Sequence, residues 1–433
     1  MRRETGASRV SLIRKWTIAL VVGSLAAAAF AISTTPASAD GDMPVADPLP
    51  PIDLPPAAAA SCVSSDANLA ERMSSDIQDA VFRDASGISV TVYDRVTETH
   101  CQYNSEAVLY TASIIKTTLV GALLRRAQDE GRGLTDVEHA NAHAAVTRSD
   151  NDAATALYNQ LGVDGIQYFM DMVGMPGTTI TPTWGSSRTT GNDQTAFLQA
   201  MTTPGDILTD DRRAYLLDLM RQVIPEQRWG TPAGAPDTVA AGNKNGWFPS
   251  EGWVNSTGAF AGENRDYMMV VLTGNSYDIN VGIARIEKVA HAVHRALNPD
   301  VPLWPLLQEG SYGKRVAAAQ LLLNAQGAGL GVDGDYGPAT TEAVRAFQTN
   351  NGIGVDGMIG DETWQTLTPD AKLGDSGDAV RAAQERLIAY GHGVTADGQF
   401  NDATDAAVRE FQQARGLPDT GVVDDATWQA LVS

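Results

Sequence analysis

The spacing of apolar and polar residues along the chain predicts both helices and strands. Apolar residues recur every three or four positions in six stretches, which predicts helices that bury one face, at 67–80, 111–130, 137–161, 194–201, 212–223 and 281–297. Alternating or continuous apolar runs predict strands at 87–94, 239–247, 253–260 and 266–274. Strands, a helical block, further strands and a last helix are the order expected of an antiparallel sheet covered by helices, in the α+β class.

After residue 305 the sequence repeats itself. Five landmarks, Gln320, Asp333, Gly334, Phe347 and Trp364, recur 64 positions later as Gln384, Asp397, Gly398, Phe411 and Trp428. This constant offset predicts two copies of one small, mostly helical unit, at 306–369 and 370–433. In each copy three apolar residues would line one helical face: Val316, Ala319 and Leu323, matched by Val380, Ala383 and Leu387. The phenylalanine and tryptophan of each copy would fill its interior.

The segment 332–364, VDGDYGPATTEAVRAFQTNNGIGVDGMIGDETW, resembles the peptidoglycan-binding domain of the three-helix type. The resemblance covers nearly all of 306–433 and implies peptidoglycan as a partner; the alternative is a helical spacer. Asn401 and Asp424 of copy two replace Gly337 and Gly360 of copy one. Both replacements tolerate a left-handed backbone, so we expect the fold of copy two to survive, although the resemblance supports binding by copy one more strongly.

The charge and the first residues of the chain indicate an exported protein. A formal net charge of −21 would repel nucleic acid and anionic membranes, so neither is expected as a partner. Residues 1–39 combine a basic start, an apolar run and the small residues Ala37-Ser38-Ala39, as in a cleaved signal peptide. The apolar run is short for an uncleaved membrane anchor. We expect a monomeric bacterial protein, secreted and associated with the cell wall.

Two proline-containing stretches, 40–60 and 299–305, are predicted linkers on either side of a domain at 61–298. That domain contains the chain's two cysteines, Cys62 and Cys101. Export favours one disulfide between them, tying the first helix to an early strand, over two free thiols. His139 and His143 have helical spacing but no evident third ligand, so neither a metal nor another cofactor is expected.

Lysine is scarce in the domain, where arginine carries most of the positive charge. Only Lys116, Lys244 and Lys288 occur between residues 61 and 299. Arginine keeps its proton, whereas a buried or crowded lysine can lose it. Lys116 lies one helical turn after Ser113, in a first turn whose unpaired N–H groups favour an oxyanion. A neutral Lys116 could therefore take the proton of Ser113 and make it a nucleophile.

Two further motifs make this pair more specific. The S-x-x-K spacing alone is a weak signal, because Ser311 and Lys314 repeat it in a loop of copy one. Ser149-Asp150-Asn151 separates two helical stretches, and Lys244-Asn245-Gly246 lies in a predicted strand. The order S-x-x-K, S-D-N, K-x-G resembles the serine β-lactamase and penicillin-binding D,D-peptidase superfamily. The resemblance covers about 61–298.

The resemblance implies three catalytic residues. Ser113 would attack a carbonyl and become acylated, Lys116 would be the general base, and Ser149 would relay a proton to the leaving nitrogen. Backbone N–H groups of Ser113 and Trp247 would form the oxyanion hole.

The resemblance also implies a set of substrate-binding residues, namely Asn151, Lys244, Gly246 and Trp247. Asn151 would bind the substrate amide and hold Lys116, Lys244 would bind a substrate carboxylate, and the indole of Trp247 is the best aromatic contact. Asp150 is expected to bond backbone only.

Three departures from the superfamily pattern shape the functional hypothesis. The third motif is KNG rather than KTG or KSG, and the stretch between Lys116 and Ser149 is short, so we expect an open cleft. The segment 162–190 lacks the glutamate that activates the deacylating water in class A β-lactamases; its acids, Asp164 and Asp171, have the pattern of helix-surface residues. We also expect Asp193 to cap the following helix.

We therefore expect a serine hydrolase that acts on D-Ala-D-Ala-like stem peptides and is acylated by β-lactams without fast turnover. One alternative is a true β-lactamase whose water is activated by Lys116 or Ser149. The other is a wall-binding protein with a catalytically degenerate hydrolase domain.

Overall fold

The computed structural model describes residues 49–82, 86–301 and 303–433, so the predicted signal peptide lies outside the described residues. The strands are β1 Ser61–Val63, β2 Ile88–Asp94, β3 Thr99–Tyr103, β4 Leu109–Tyr110, β5 Arg188–Thr189, β6 Ala240–Phe248, β7 Trp253–Gly262 and β8 Arg265–Thr273. The helices of the N-terminal domain are α1 Ala67–Val81, α2 Ile115–Asp129, α3 Asp136–Thr147, α4 Asn151–Val173, α5 Gly191–Thr202, α6 Asp210–Arg221 and α7 Ile279–Leu297.

The N-terminal domain is a six-stranded antiparallel sheet between two helical layers. The strand order is β1-β3-β2-β8-β7-β6, and β4 pairs with β5 in a separate ribbon. One face of the sheet packs on α1 and α7, and the other face packs on α2 to α6. The predicted α+β class is confirmed, and β6 lies at the open edge of the sheet.

The helix predicted over 137–161 is two helices in the structure. The helix is interrupted between α3 and α4 because Ser149 adopts a φ of 57°. Asp150 then caps α4 by accepting a hydrogen bond from Ala153 N–H at 2.8 Å. The capping role of Asp150 agrees with the prediction that it bonds backbone. The break places the Ser149-Asp150-Asn151 loop at the end of the helical layer.

The disulfide joins Cys62 to Cys101, with the two Cα atoms 4.0 Å apart. Cys62 lies in β1, not in the first helix, and faces Cys101 across the β1–β3 ladder. The prediction that the bond ties helix to strand was therefore wrong. The disulfide fastens the edge strand β1 to the sheet, at the edge opposite β6.

The described part of the first predicted linker, residues 49–60, packs on the domain. Its backbone accepts hydrogen bonds from Gly87 N–H at Pro55 and from the Tyr110 hydroxyl at Pro50. The side chains of Leu49, Ile52 and Leu54 pack against the core on the helical face. In this stretch the proline-rich segment is a strap on the domain, not a spacer. The cause is the apolar residues between the prolines, which bury surface.

Each C-terminal repeat is a three-helix unit: α8 Lys314–Ala325, α9 Pro338–Asn351 and α10 Asp361–Leu367, then α11 Asp378–Ala389, α12 Asp402–Ala414 and α13 Asp425–Val432. The residues predicted to line the helical faces and the interiors are all buried, in one core shared by both copies. In copy one Gln320 accepts hydrogen bonds from Asp333 and Gly334 N–H and donates to Asp335 O. Buried glutamines thus hold the turns between helices.

The two residues of copy two that stand in place of glycines, Asn401 and Asp424, are helix N-caps with extended backbone. Asn401 has φ −97° and its side chain accepts from Thr404 N–H at 3.0 Å. Asp424 has φ −87° and accepts from Thr427 N–H at 2.9 Å. The expected left-handed backbone is absent at both positions, so that reason was wrong. The replacements instead give α12 and α13 side-chain caps.

The N-terminal domain and the repeats are in direct contact. The ring of Phe82 stacks on Tyr312 at 4.4 Å between centroids, and the Gln308 side chain donates to Ala284 O at 3.0 Å. In the second predicted linker, Trp304 is buried and stacks on Trp364, so this residue belongs to the core of copy one. Over the described residues, no helix combines the length and apolarity that crossing a bilayer requires.

Candidate active site

Ser113 lies in a short 3₁₀ turn, Ala112–Ile114, that opens α2, and only 2% of its surface is exposed. The turn is held from both sides. Thr111 N–H donates to Ser187 O at 2.9 Å, and the Asn255 side chain on β7 donates to Thr111 O at 3.2 Å. Ala112 adopts a φ of 45°, which is uncommon for a residue with a side chain. The surroundings fix this turn in a single position beside β6.

Lys116 is fully buried one turn further along α2. Its Nζ donates to Ser149 O at 2.5 Å and to Asn151 Oδ1 at 2.7 Å, and lies 3.2 Å from Ser149 Oγ. Burial, together with the nearby charge of Lys244, holds the pKa of Lys116 well below its usual range, and Asp150 opposes this. The amine therefore loses its proton far more readily than a surface lysine does.

The hydroxyl of Ser149 lies between the amines of Lys116 and Lys244. Its Oγ accepts from Lys244 Nζ at 3.0 Å and lies 3.2 Å from Lys116 Nζ, and the residue is 2% exposed. Burial lowers the pKa of Lys244 to about 7. Two titratable amines and a hydroxyl thus form one connected group, a chain along which a proton can move.

Gly246 allows β6 to lie against the serine turn. A Cβ at this position would come within 2.7 Å of the backbone nitrogens of Ser113 and Ile114, so any side chain would force the strand away. Asn245 lies on the opposite face of β6, where its side-chain amide donates to Gln227 O and Trp229 O at 2.9 and 3.0 Å. Asn245 therefore braces the strand from behind.

The indole of Trp247 is buried in the core between the sheet, α1 and α7, with 3% exposure. It meets Trp229 edge-on at 5.6 Å. Because side chains alternate along a strand, Trp247 points away from the face that holds Lys244 and Gly246. An aromatic contact between this side chain and a substrate was the wrong expectation, and the backbone N–H remains the candidate oxyanion donor.

The segment 162–190 places Trp184 beneath the site. Its ring centroid lies 5.1 Å from Lys116 Nζ, its Nε1–H donates to Thr155 Oγ1 at 3.1 Å, and it is 1% exposed. Asp164 and Asp171 are exposed, as expected. The sequence offers no signal for this contact, because nothing in it pairs Trp184 with Lys116.

The helix after this segment, α5, is capped by Thr190, whose side chain accepts from Asp193 N–H at 3.1 Å. Asp193 was expected to be the cap but lies in the first turn. Its carboxylate accepts from the Thr178 hydroxyl at 2.6 Å, and burial raises its pKa.

Asn255 and Thr257 were missed as parts of the site. Both are buried on β7, opposite Gly246 and Lys244 in the β6–β7 ladder. The available signal was two polar residues at alternate positions of a strand that must be buried on both faces. Asn255 holds the serine turn, and Thr257 donates to Lys244 O at 3.3 Å.

Among the residues that the structure describes, no three His, Cys, Asp or Glu side chains form a group that could hold a metal ion. His139 instead lies 3.1 Å from the Tyr215 hydroxyl. The described residues therefore offer no ligand set for a resident metal ion.

Two families match the chain. Residues 72–138 and 136–297 match the family described as Beta-lactamase enzyme family, and together span more than half of the 433 residues. Residues 312–367 and 376–431 match the family described as Putative peptidoglycan binding domain. The predicted pair of repeats is confirmed.

Among curated proteins, the chain is 35% identical over 116 residues to the zinc D-Ala-D-Ala carboxypeptidase of Streptomyces albus G, which covers 26% of this chain and 43% of that protein. It is 30% identical over 162 residues to the N-acetylmuramoyl-L-alanine amidase CwlL of Bacillus licheniformis, covering 28% and 44%. The chain spans about half the length of the curated relatives it matches.

Among solved structures, a β-lactamase from Streptosporangium roseum is 21% identical with a TM-score of 0.46, covering 53% of this chain and 99% of that one. A β-lactamase from Sphaerobacter thermophilus is 17% identical with a TM-score of 0.47, covering 53% and 97%.

Proposed function

The chain belongs to the Beta-lactamase enzyme family and carries two peptidoglycan-binding domains, and from this premise we propose that it is an exported serine hydrolase working through an acyl-enzyme on Ser113. The observation that carries the proposal is the Lys116 amine. It is fully buried, it has a pKa well below the usual range, and it is held by Ser149 and Asn151 one turn from the serine. A buried amine of low pKa beside a hydroxyl is the arrangement that general-base activation needs.

In the proposed acylation, Lys116 Nζ takes the proton of Ser113 Oγ as the oxygen attacks the substrate carbonyl. The developing oxyanion is bound by the N–H groups of Ser113 and Trp247, which the close approach of Gly246 keeps near each other. As the C–N bond breaks, Ser149 Oγ gives its proton to the leaving nitrogen and receives the proton held by Lys116 Nζ, 3.2 Å away, so that both residues return to their starting states. Lys244, hydrogen-bonded to Ser149, binds a substrate carboxylate in its charged form.

We propose D-Ala-D-Ala-like stem peptides as substrates and β-lactams as acylating mimics. The peptidoglycan-binding domains support a cell-wall setting, and the name of the carboxypeptidase relative supports this peptide class. Its zinc is not carried over, because the described residues offer no fitting ligand group.

Slow deacylation is part of the proposal. Hydrolysis of the acyl-enzyme requires a base that activates water, and the exposed Asp164 and Asp171 are not available to the site. Trp184 fills the space on one side of Lys116 with an apolar ring. A β-lactam adduct on Ser113 should therefore persist. Turnover with Lys116 as the water-activating base is the second candidate, favoured by the lowered pKa of that amine.

The test is incubation of the full chain with a chromogenic β-lactam while colour release and intact mass are followed together. We expect one persistent mass adduct that Ser113→Ala abolishes. Ser311→Ala is the matched control, because Ser311 begins the same S-x-x-K spacing in copy one and should leave the adduct intact. Steady colour release would favour the second candidate. Neither adduct nor turnover in the folded wild-type chain would overturn the serine mechanism.

A further inference from the structure

A cavity of about 730 Å³ lies where the N-terminal domain meets both repeats. Its walls come from α1, α7, the start of α8, α11 and α13, so the N-terminal domain and both repeats contribute to it. The volume is within the range of small-molecule sites. None of the proposed catalytic residues lines it, so this is a second, separate site.

The cavity is cationic in a strongly acidic protein. Six cationic side chains line it, against three carboxylate side chains, those of Asp76, Asp79 and Asp300: Arg72, Arg295, Lys314, Arg315, Arg386 and Arg415. Counted over the lining side chains, the excess is three positive charges in a chain whose formal net charge is −21. The backbone of Ser433 also lines the cavity and accepts hydrogen bonds from Arg315 and Tyr390. Because the rest of the surface repels anions, an anionic ligand would be attracted to this cavity in particular.

Only two of the six cationic side chains take part in the ion-pair bridge that joins the N-terminal domain to the repeats. Asp76 accepts from Arg315 at 2.8 Å and from Arg295 at 3.0 Å, which makes a bridge between the domains. Within the described residues, no ion pair joins the other four cations, Arg72, Lys314, Arg386 and Arg415, to a carboxylate. Arg386 is nine-tenths buried, and its Nε donates only to a backbone carbonyl, Leu431 O, at 2.7 Å.

An aromatic ring lies among these cations. The guanidinium of Arg415 is 4.6 Å and that of Arg386 5.4 Å from the ring centroid of Tyr390. The cavity therefore offers planar donor forks, which match carboxylates, next to a flat apolar surface. A ligand that fits carries carboxylates and small apolar groups on one compact molecule.

We propose that this cavity binds the carboxylate-bearing peptide of a peptidoglycan fragment, as a site separate from the active site. Stem peptides combine free carboxylates with alanine methyl groups, and both peptidoglycan-binding repeats form the walls. The choice of a wall fragment rests on the proposed function, whereas the preference for carboxylates rests on the charges alone. Such a site would hold the polymer on which the active site acts.

The test is calorimetric titration of the full chain with a soluble, uncross-linked disaccharide-peptide that has free carboxylates. We expect Arg386→Gln/Arg415→Gln to weaken binding at least about tenfold, since charge-assisted hydrogen bonds are lost. Arg381→Gln is the matched control, an exposed arginine on the same helix outside the cavity, and should bind as wild type. Lys314→Gln/Arg415→Gln changes two exposed residues of the cavity and should weaken binding in the same way. It replaces the first variant if the substitution of the buried Arg386 prevents folding.

Three results would overturn the inference: equal binding by the variants, equal binding of a carboxyl-amidated fragment, or binding of poly(glycerol phosphate) in place of the peptide. Binding of the fragment at the active site or within one repeat would be the same in the cavity variants and in Arg381→Gln. The difference in affinity between them therefore reports on the cavity alone. Formation of the β-lactam adduct, measured in parallel, should be unchanged in the cavity variants. The two proposals can therefore fail independently.

Discussion

The proposed mechanism depends on which of two buried lysines carries a proton. In it Lys116 is neutral and acts as a base, whereas Lys244 is charged and binds a carboxylate. One hydroxyl, Ser149 Oγ, lies between the two amines, 3.2 Å from Lys116 Nζ and 3.0 Å from Lys244 Nζ. Because burial and the charge of Lys244 both disfavour a proton on Lys116, the arrangement favours a neutral Lys116 beside a charged Lys244.

Asn151→Asp tests the state of Lys116. A carboxylate in place of Oδ1, now 2.7 Å from Nζ, would raise the pKa of Lys116 and keep it protonated. We expect β-lactam acylation at pH 7 to fall by roughly 10- to 1,000-fold and to recover as the pH rises, from stopped-flow rates at several pH values. A loss that is the same at every pH would mean that Asn151 acts only in substrate binding.

The pH profile of acylation tests Lys244. Deprotonation of Lys116 makes the rate rise with pH on the acid side, whereas loss of charge from Lys244 above its pKa of about 7 weakens carboxylate binding on the alkaline side. We expect a bell-shaped profile of kcat/KM for a carboxylate-bearing β-lactam. Lys244→Arg should remove the alkaline decline, because arginine stays charged. Lys288→Arg, another buried lysine of the same domain, should keep the wild-type profile.

At the scale of elements, the sequence predicted those whose pattern is local. The strands β2, β6, β7 and β8 and the helices α1, α2 and α7 follow their apolar spacing closely. Strand β3 was missed because three of the five residues of THCQY are polar, although buried and half-buried positions alternate along the strand. The apolar pattern alone predicted one helix over 137–161, and only the Ser149-Asp150-Asn151 motif indicated a division there. The positive φ of Ser149, which residue preference does not encode, ends the first of the two helices.

The motifs predicted which side chains lie together, namely Lys116, Ser149 and Lys244, more accurately than the apolar pattern predicted the ends of elements. Whether this group is catalytic stays a prediction. Trp184 and Asn255 could not be predicted, since they act through contacts between segments far apart in the chain. The predicted contact between the Trp247 ring and a substrate was wrong for a geometric reason. Because side chains alternate along β6, the ring lies on the face of the sheet that packs on α1 and α7.

The disulfide should stabilise the fold without affecting chemistry. It closes a loop of 39 residues, and removing it by Cys62→Ser/Cys101→Ser should lower the free energy of unfolding by roughly 3–4 kcal/mol. Acylation by a β-lactam should stay within about twofold, because the sheet order puts β6 at the opposite edge. Urea unfolding with and without reductant measures this; the double variant is the control that reductant should not change. A large loss of acylation would contradict the separation of the two edges.

For the whole molecule, the contact between the domains depends on Asp76. This carboxylate lies between Arg295 and Arg315, whose charges lower its pKa even though burial opposes this. Removing it leaves the largely buried Arg295 and Arg315 without the carboxylate that they share, which is strongly unfavourable.

We expect Asp76→Asn to destabilise the chain by about 3 kcal/mol and to split one calorimetric unfolding transition into two, as the repeats and the N-terminal domain unfold separately. Asp300→Asn removes an exposed carboxylate paired with Arg265 and should leave a single transition. A single unshifted transition in Asp76→Asn would show that apolar contacts alone join the domains.

The strap has a practical consequence for where this enzyme can be shortened. The family match begins at residue 72, which invites expression of a chain starting near there. Such a chain would lose Pro50, the acceptor of the Tyr110 hydroxyl, and Leu54, which fills space beside Gly274. Tyr110 precedes the proposed nucleophile by three residues. A trimmed protein should therefore be acylated more slowly although every motif residue is intact, because the strap that contacts Tyr110 is missing. The loss of Cys62 also removes the disulfide and the stability that it provides.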